Sequence, residues 1–198
     1  MVEYGVAKHA LVGQGESGDL HLVCCNQNGV LIAVIDGIGH GQEAASVSQT
    51  TAAILRSSAD EPVISLVERC HEKLRGTRGA VLSLAFISAE QNMMTWLGVG
   101  NVQGVLMREG SKRGNGQESL LLRGGVIGSQ LPSLQATVLP ISRGDTIFFA
   151  TDGIRSDFSN TLSPRENPQR AADRILNQYR SGNDDALVLV ARLTGVNP

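Results

Sequence analysis

The chain of 198 residues carries 17 Lys and Arg against 19 Asp and Glu, a formal net charge of −2 at pH 7, which argues against electrostatic capture of nucleic acid or of an anionic membrane surface. Its apolar share of 41% can fill a packed core, and with aromatics at only 4% that core falls to Val, Leu, Ile and Ala. No apolar run approaches the ~20 residues of a membrane span, and the opening "MVEYGVAKHALVGQ" has no basic leader followed by an apolar block, so a single cytoplasmic domain over residues 1–198 is the expectation.

In chain order, "LHLVCCNQNGVLIAVID" reads as two strands joined by a turn at residues 26–29, where Asn28-Gly29 is a strong hairpin signal. Cys24 and Cys25 would point to opposite faces of the first strand, which argues against a shared metal. The chain has 3 cysteines, an odd number that closes no disulfide framework, and they read as small core thiols in a reducing compartment. Residues 41–58 are rich in Ala, Ser, Gln and Thr, contain no proline, and read as a helix packed closely on a sheet. Pro62 suits the first turn of a second helix whose Val63, Leu66, Val67, Cys70 and Leu74 share one face.

A strand series follows. "AVLSLAFISA" and "NMMTWLGVGN" flank a polar turn at Glu90-Gln91, and "VQGVLMREG" leads into a polar, glycine-containing loop over residues 108–117. "SLLLR", "LQATVLPIS" and "DTIFFATDG" continue the strands, with a turn at Arg143-Gly144. Pro164 is read as opening a last helix with Ala171, Ala172, Ile175, Leu176 and Tyr179 on its apolar face, and "DDALVLVARL" is a final buried strand. Helices and strands are segregated rather than alternating, which predicts an α+β fold of two packed, mainly antiparallel sheets flanked by helices.

Acidic residues mark the strand ends. Asp36 closes the apolar run Leu31 to Ile35 and is followed by glycine; Asp152 repeats the form in "TIFFATDGI". Asp184 and Asp185 head the last strand, and Asp19 opens the strand expected to pair with the one ending at Asp36. Carboxylates gathered at one sheet edge repel unless a positive charge sits among them, and Arg155 and Arg180 are too few to pair them all. A hard divalent cation such as Mg²⁺ or Mn²⁺ suits an all-oxygen set. Glycine after Asp36 would let the backbone carbonyl turn toward such an ion. No Cys/His cluster has zinc spacing.

At these residues the chain resembles a family. "SGD" at 17–19, "DGIGHG" at 36–41, "ATDG" at 150–153 and "NDDALVLV" at 183–190 look like the metal motifs of PP2C-type serine/threonine phosphatases, most closely the bacterial SpoIIE-like branch. Within it, "RGAVLSLAFI" and "GVGNVQGVLM" are similar to the compact form that acts on stressosome components. The resemblance implies an αββα sandwich with two Mn²⁺ or Mg²⁺ ions at one end. Asp36 would bridge both ions, the Gly37 carbonyl would bind one, Asp152 and one of the Asp184/Asp185 pair, with Asp184 favoured, the other, and Asp19 would act through water. A phosphorylated partner protein, suspected to be a stressosome STAS-domain protein, would be the substrate. Three positions depart from the pattern: Asn101 stands where many relatives have Asp, Leu187 where they usually have Thr, and the phosphate-gripping arginine of eukaryotic members has no obvious match.

The ions would activate a water for in-line attack on phosphorus, with no covalent enzyme intermediate. His40 has two readings, a proton donor to the leaving oxygen or a helix-start residue bonded to backbone. A haloacid-dehalogenase-like mechanism needs a nucleophilic Asp at position 34, where Val34 stands. A nucleotide-cradling glycine loop lacks its Lys. A catalytically silent scaffold that only binds a regulatory partner is the alternative from a different class, and metal-dependent hydrolysis of p-nitrophenyl phosphate separates it from an enzyme.

Overall fold

The structure is a computed structural model, and it describes residues 2–11, 13, 15–110 and 116–195. One sheet contains β1 (Val2–His9), β6 (Gln103–Met107), β7 (Gln117–Ser119), β10 (Thr146–Ala150) and β11 (Ala186–Leu193), in the order β1-β11-β10-β6-β7. The other contains β2 (Asp19–Asn26), β3 (Gly29–Gly37), β4 (Ala80–Ser88), β5 (Met93–Val99) and β8 (Leu122–Arg123) in sequence order, with β9 (Thr137–Pro140) also paired to β5. Every pairing is antiparallel except β5 with β8. Helices α1 (Gly41–Ser57) and α2 (Val63–Leu74) cover the second sheet, and α3 (Pro168–Tyr179) covers the first. This is the expected α+β architecture of two packed sheets flanked by helices.

The period-2 alternation of strand side chains distributes the apolar runs among three layers. In β3, Leu31, Ala33 and Ile35 face Leu55, Leu66, Val67 and Cys70 of the helices, whereas Ile32 and Val34 face the central layer. In β10 the adjacent Phe148 and Phe149 divide the same way: Phe149 joins Trp96, Leu187 and Leu189 between the sheets, and Phe148 joins Ala171, Ala172 and Ile175 under α3. Burial on both faces is why these strands read as unbroken apolar runs rather than as alternating ones.

Several expectations are corrected. The last helix begins at Pro168, not Pro164; Asn167 caps it, its side chain accepting from the N–H groups of Gln169 and Arg170. Residues 119–123 do not form one strand: the chain leaves β7 in one sheet and enters β8 in the other. β1 and a 3-10 turn, Ser156–Thr161, were not expected. Of the cysteines only Cys70 is a core thiol, with burial pushing its pKa up to about 12; Cys24 is half-buried and Cys25 exposed. The 108–117 loop lies partly outside the described residues.

β1 is an edge strand, and α3 manages its open edge. The Gln169 side chain accepts from Val6 N–H at 3.0 Å and donates to the Val6 carbonyl at 2.8 Å, standing in for a strand neighbour. This needs close approach. A Cβ on Gly5 would lie 2.3 Å from the Gln169 Cα and N. Gly5→Ala should therefore force β1 and α3 apart and cost about 1–3 kcal/mol, read as a lower urea midpoint with unchanged m-value; an unchanged midpoint would contradict this packing.

Candidate active site

The antiparallel pairings bring the acidic strand ends to one edge. Asp19 and Asp36 are direct partners in the β2–β3 register. Ala150, at the end of β10, pairs with Val188 near the start of β11, so Asp152 emerges beside Asp184 and Asp185. Asn101 stands between β5 and β6 at the same edge. Asp36, Asp152, Asp184 and His40 line one cavity of about 500 Å³, with Ile38, Gly39, Val81, Gly100, Asn101 and residues 124–126 as its other walls. The 124–126 wall is held by the bridge between Ala80 and Ile127, where each N–H donates to the other's carbonyl. Among the described residues, no Lys, Arg, Phe, Tyr or Trp lines it.

Two predicted site residues lie behind this wall rather than on it. Asp19 is 2% exposed; it accepts from the Thr151 hydroxyl at 2.7 Å, and the same hydroxyl accepts from Leu187 N–H at 2.9 Å, tying β2, β10 and β11 together. Gly37 is buried against α1. A Cβ there would meet the Ala44 carbonyl oxygen at 2.2 Å, so close passage of the helix requires this glycine. Gly153 has a parallel reason: a Cβ would lie 1.9 Å from the Asp185 carbonyl oxygen. Both Asp-Gly pairs thus mark places where two backbones touch, which the sequence signalled without giving the partner.

The adjacent acids at the head of β11 have different surroundings. Asp184 is exposed toward the cavity, and its carboxylate accepts from Asp185 N–H at 2.8 Å. Asp185 is buried, with its two oxygens accepting from Leu11 N–H and Gly18 N–H, each at 2.7 Å. It fastens the segment before β2 to β11. Asn101 donates its amide to Asp152 Oδ2 at 2.7 Å. His40 is exposed, starts α1, and makes no side-chain cap bond, so the bonded helix-start reading is not the one the structure bears out. Among the described residues, no three His, Cys, Asp or Glu side chains stand ready-formed to hold a metal ion. The carboxylates face a shared space instead.

The crowding is electrostatically costly. Burial, and then repulsion from Asp19, Asp152, Asp184 and Asp185, pushes the Asp36 pKa up to about 8. Burial pushes Asp19 up to about 7 against the Thr151 bond, which pulls it down, with Asp185 and Asp152 raising it further. Burial and Asp184 also raise Asp152, opposed by the Asn101 amide.

Comparison with known proteins follows this geometry. The family model described as "Stage II sporulation protein E (SpoIIE)" matches residues 26–194. The chain belongs to the SpoIIE family. It is 25% identical over 183 residues to phosphoserine phosphatase RsbX of Bacillus subtilis (strain 168), covering 92% of this chain and 90% of that protein. A structure described under "The bacterial stressosome: a modular system that has been adapted to control secondary messenger signaling" superposes with a TM-score of 0.87 at 29% identity, over 97% of this chain and 100% of that one. RsbX in complex with magnesium superposes at 0.85 with 23% identity, over 98% of this chain and 96% of its own. The fold is that of the PP2C-type phosphatases.

The raised carboxyls make stability depend on pH. Asp36 and Asp19 hold protons in the folded chain that the unfolded chain, with an ordinary pKa of 3.8, releases. Their contribution is complete below that value and is lost as pH rises through about 7 for Asp19 and about 8 for Asp36. Without divalent metal, urea unfolding should show stability falling between about pH 5 and about pH 8, on the order of 1 kcal/mol per pH unit. Asp36→Asn should flatten that slope; a stability that rises with pH across the window would contradict the assignment.

Proposed function

We propose that this SpoIIE-family chain is a divalent-metal-dependent phosphatase that hydrolyses phosphoserine or phosphothreonine on a partner protein. The observation that carries the reading is the convergence of Asp36, Asp152 and Asp184 on one cavity that, among the described residues, no Lys or Arg lines. Its donor set is all oxygen, and Mg²⁺ characteristically takes only one or two carboxylates and fills the rest of its shell with water. Such an ion asks for a shared acidic space rather than a closed cage, and this cavity fits it. Asp36 would be shared between two ions, Asp152 and Asp184 would complete the protein ligands, and Asp19 would act from behind through its place opposite Asp36. The resemblance also assigns the Gly37 carbonyl to one ion.

Two Mn²⁺ or Mg²⁺ ions bound there would supply Lewis acidity toward a water and toward the phosphoryl oxygens. The chain's own groups do the rest. Asn101 orients the Asp152 carboxylate by its 2.7 Å bond. Asp185 holds the segment that leads into Asp19. The His40 imidazole, unbonded to its helix and on the cavity wall, is the group to hold the proton delivered to the departing serine or threonine oxygen. The open cavity admits a protruding loop, and no aromatic ring lines it to stack a base. Similarity to phosphoserine phosphatase RsbX and to a stressosome structure supports a bacterial stress-response phosphoprotein, suspected to carry a STAS domain, as the partner in the cytoplasm.

The test is kinetic. With Mn²⁺, the protein should hydrolyse p-nitrophenyl phosphate slowly and a stressosome phosphoprotein far more efficiently in kcat/KM, with ATP a poor substrate. Asp36→Asn should lower activity by more than about a hundredfold with the fold intact by circular dichroism. Asp184→Ala should weaken metal binding, whereas Asp185→Ala should mainly cost stability, about 1–3 kcal/mol for each N–H left unpaired. Full activity in excess chelator, or turnover of ATP equal to that of the phosphoprotein, would overturn the reading; absence of all turnover would favour the silent scaffold.

A further inference from the structure

The turn that carries Asp36 and His40 has a cation seated on it. Arg78 lies just ahead of β4, and its neighbour Gly79 accepts from Ile38 N–H at 3.0 Å, which fixes this segment to the turn. The Arg78 guanidinium packs on Gly39: a Cβ built there would lie 2.7 Å from Arg78 Nη1. Gly39 lines the acidic cavity. On its other side Arg78 borders a separate groove of about 520 Å³ with Gln42, Glu43, Ser46 and Thr77. Its ion-pair partner is Glu43, at 2.5 Å in the first turn of α1, and both side chains are more than half exposed.

Two other basic groups near this edge, Lys8 and Arg155, are engaged elsewhere. Lys8 Nζ donates to the main-chain carbonyl of Asp19 at 2.6 Å, in a different groove. Arg155 donates to the Gln178 carbonyl, pairs with Asp157 and stacks on Tyr179. A phosphate monoester entering the cavity is a dianion. Asp36, Asp152 and Asp184, with Asp19 and Asp185 behind them, carry five negative charges when ionised, more than two divalent ions balance. The incoming charge calls for one more cation at the rim. A guanidinium presents a planar fork that fits two phosphoryl oxygens, and an exposed ion pair is readily exchanged for such a contact.

We propose that Arg78 binds the phosphoryl group of the substrate at the rim of the acidic cavity, and that Glu43 competes with the substrate for it. The pair then sets substrate affinity more than turnover. This rests on the phosphatase reading above and deepens it by naming a specificity-determining residue and its internal competitor.

The experiment compares wild type, Arg78→Ala, Arg78→Lys and Glu43→Gln in saturating Mn²⁺. It reads KM and kcat for p-nitrophenyl phosphate and for a phosphoserine peptide, and the Kd of inorganic phosphate by titration calorimetry. Arg78→Ala should raise KM and the phosphate Kd roughly tenfold, while kcat changes less than about threefold. Arg78→Lys should restore part of the affinity, since it keeps the charge and loses the fork. Glu43→Gln should lower KM and the phosphate Kd by about twofold or more, an opposite sign that general destabilisation cannot produce. If wild type turns over neither substrate, the phosphatase reading has failed. If wild type is active while Arg78→Lys and Arg78→Ala leave both KM and phosphate Kd unchanged, or Glu43→Gln weakens binding, the Arg78 inference is overturned.

Discussion

Mutual repulsion among aspartates is the constraint on which this structure turns. Asp19, Asp36, Asp152, Asp184 and Asp185 come from four strand ends and meet at one sheet edge, close enough that several raise one another's pKa. Partial burial makes this worse, because the low-dielectric surroundings both strengthen repulsion and remove hydration. Two of the five are quietened by protein donors. The Thr151 hydroxyl serves Asp19, and the Leu11 and Gly18 N–H groups serve Asp185. The remaining three face an open cavity with the Asn101 amide as a partial counterweight on Asp152. A fold that invests close backbone contacts at Gly37 and Gly153 to hold such an arrangement is organised around what neutralises it.

The sandwich supplies the rigidity this requires. Strands buried on both faces are fixed in register by three apolar layers, so a one-residue slip would put β3's Ile32 and Val34 on the wrong side. That register is what sets Asp19 opposite Asp36. Among the described residues, no buried side-chain nitrogen or oxygen lacks a hydrogen-bond partner, so the polar tension sits in charge rather than in unmade bonds.

Much of this was legible in the sequence because it rests on local signals. The apolar runs ending in Asp-Gly, the Asn28-Gly29 turn and the one-faced helix after Pro62 each carry their own physics, and each appears in place. What escaped depends on partners distant in sequence. β1 is an edge strand with a mixed pattern and owes its pairing to β11 at the far end of the chain. The stretch after the 108–117 loop looked like one strand because nothing local says that it passes between sheets. Pro164 looked like a helix start, but Asn167 and Pro168 supply the cap. Asp184 and Asp185 were separable in principle by strand alternation, yet the buried grip of Asp185 on Leu11 and Gly18 could not be read from spacing. Arg78 entered only as the first residue of a stretch that resembles the family; its relevance lies in contact with Gly39 across the turn.

The account's central claim is that the acid cluster exists to hold two divalent cations with Asp36 shared between them. Equilibrium dialysis of the purified protein against Mn²⁺ at neutral pH measures it without reference to any substrate. Two ions bound per chain in wild type, with both sites weakened by Asp36→Asn, is the predicted result. A stoichiometry of one or none, or an Asp36→Asn variant that binds two ions as tightly as wild type, would contradict it.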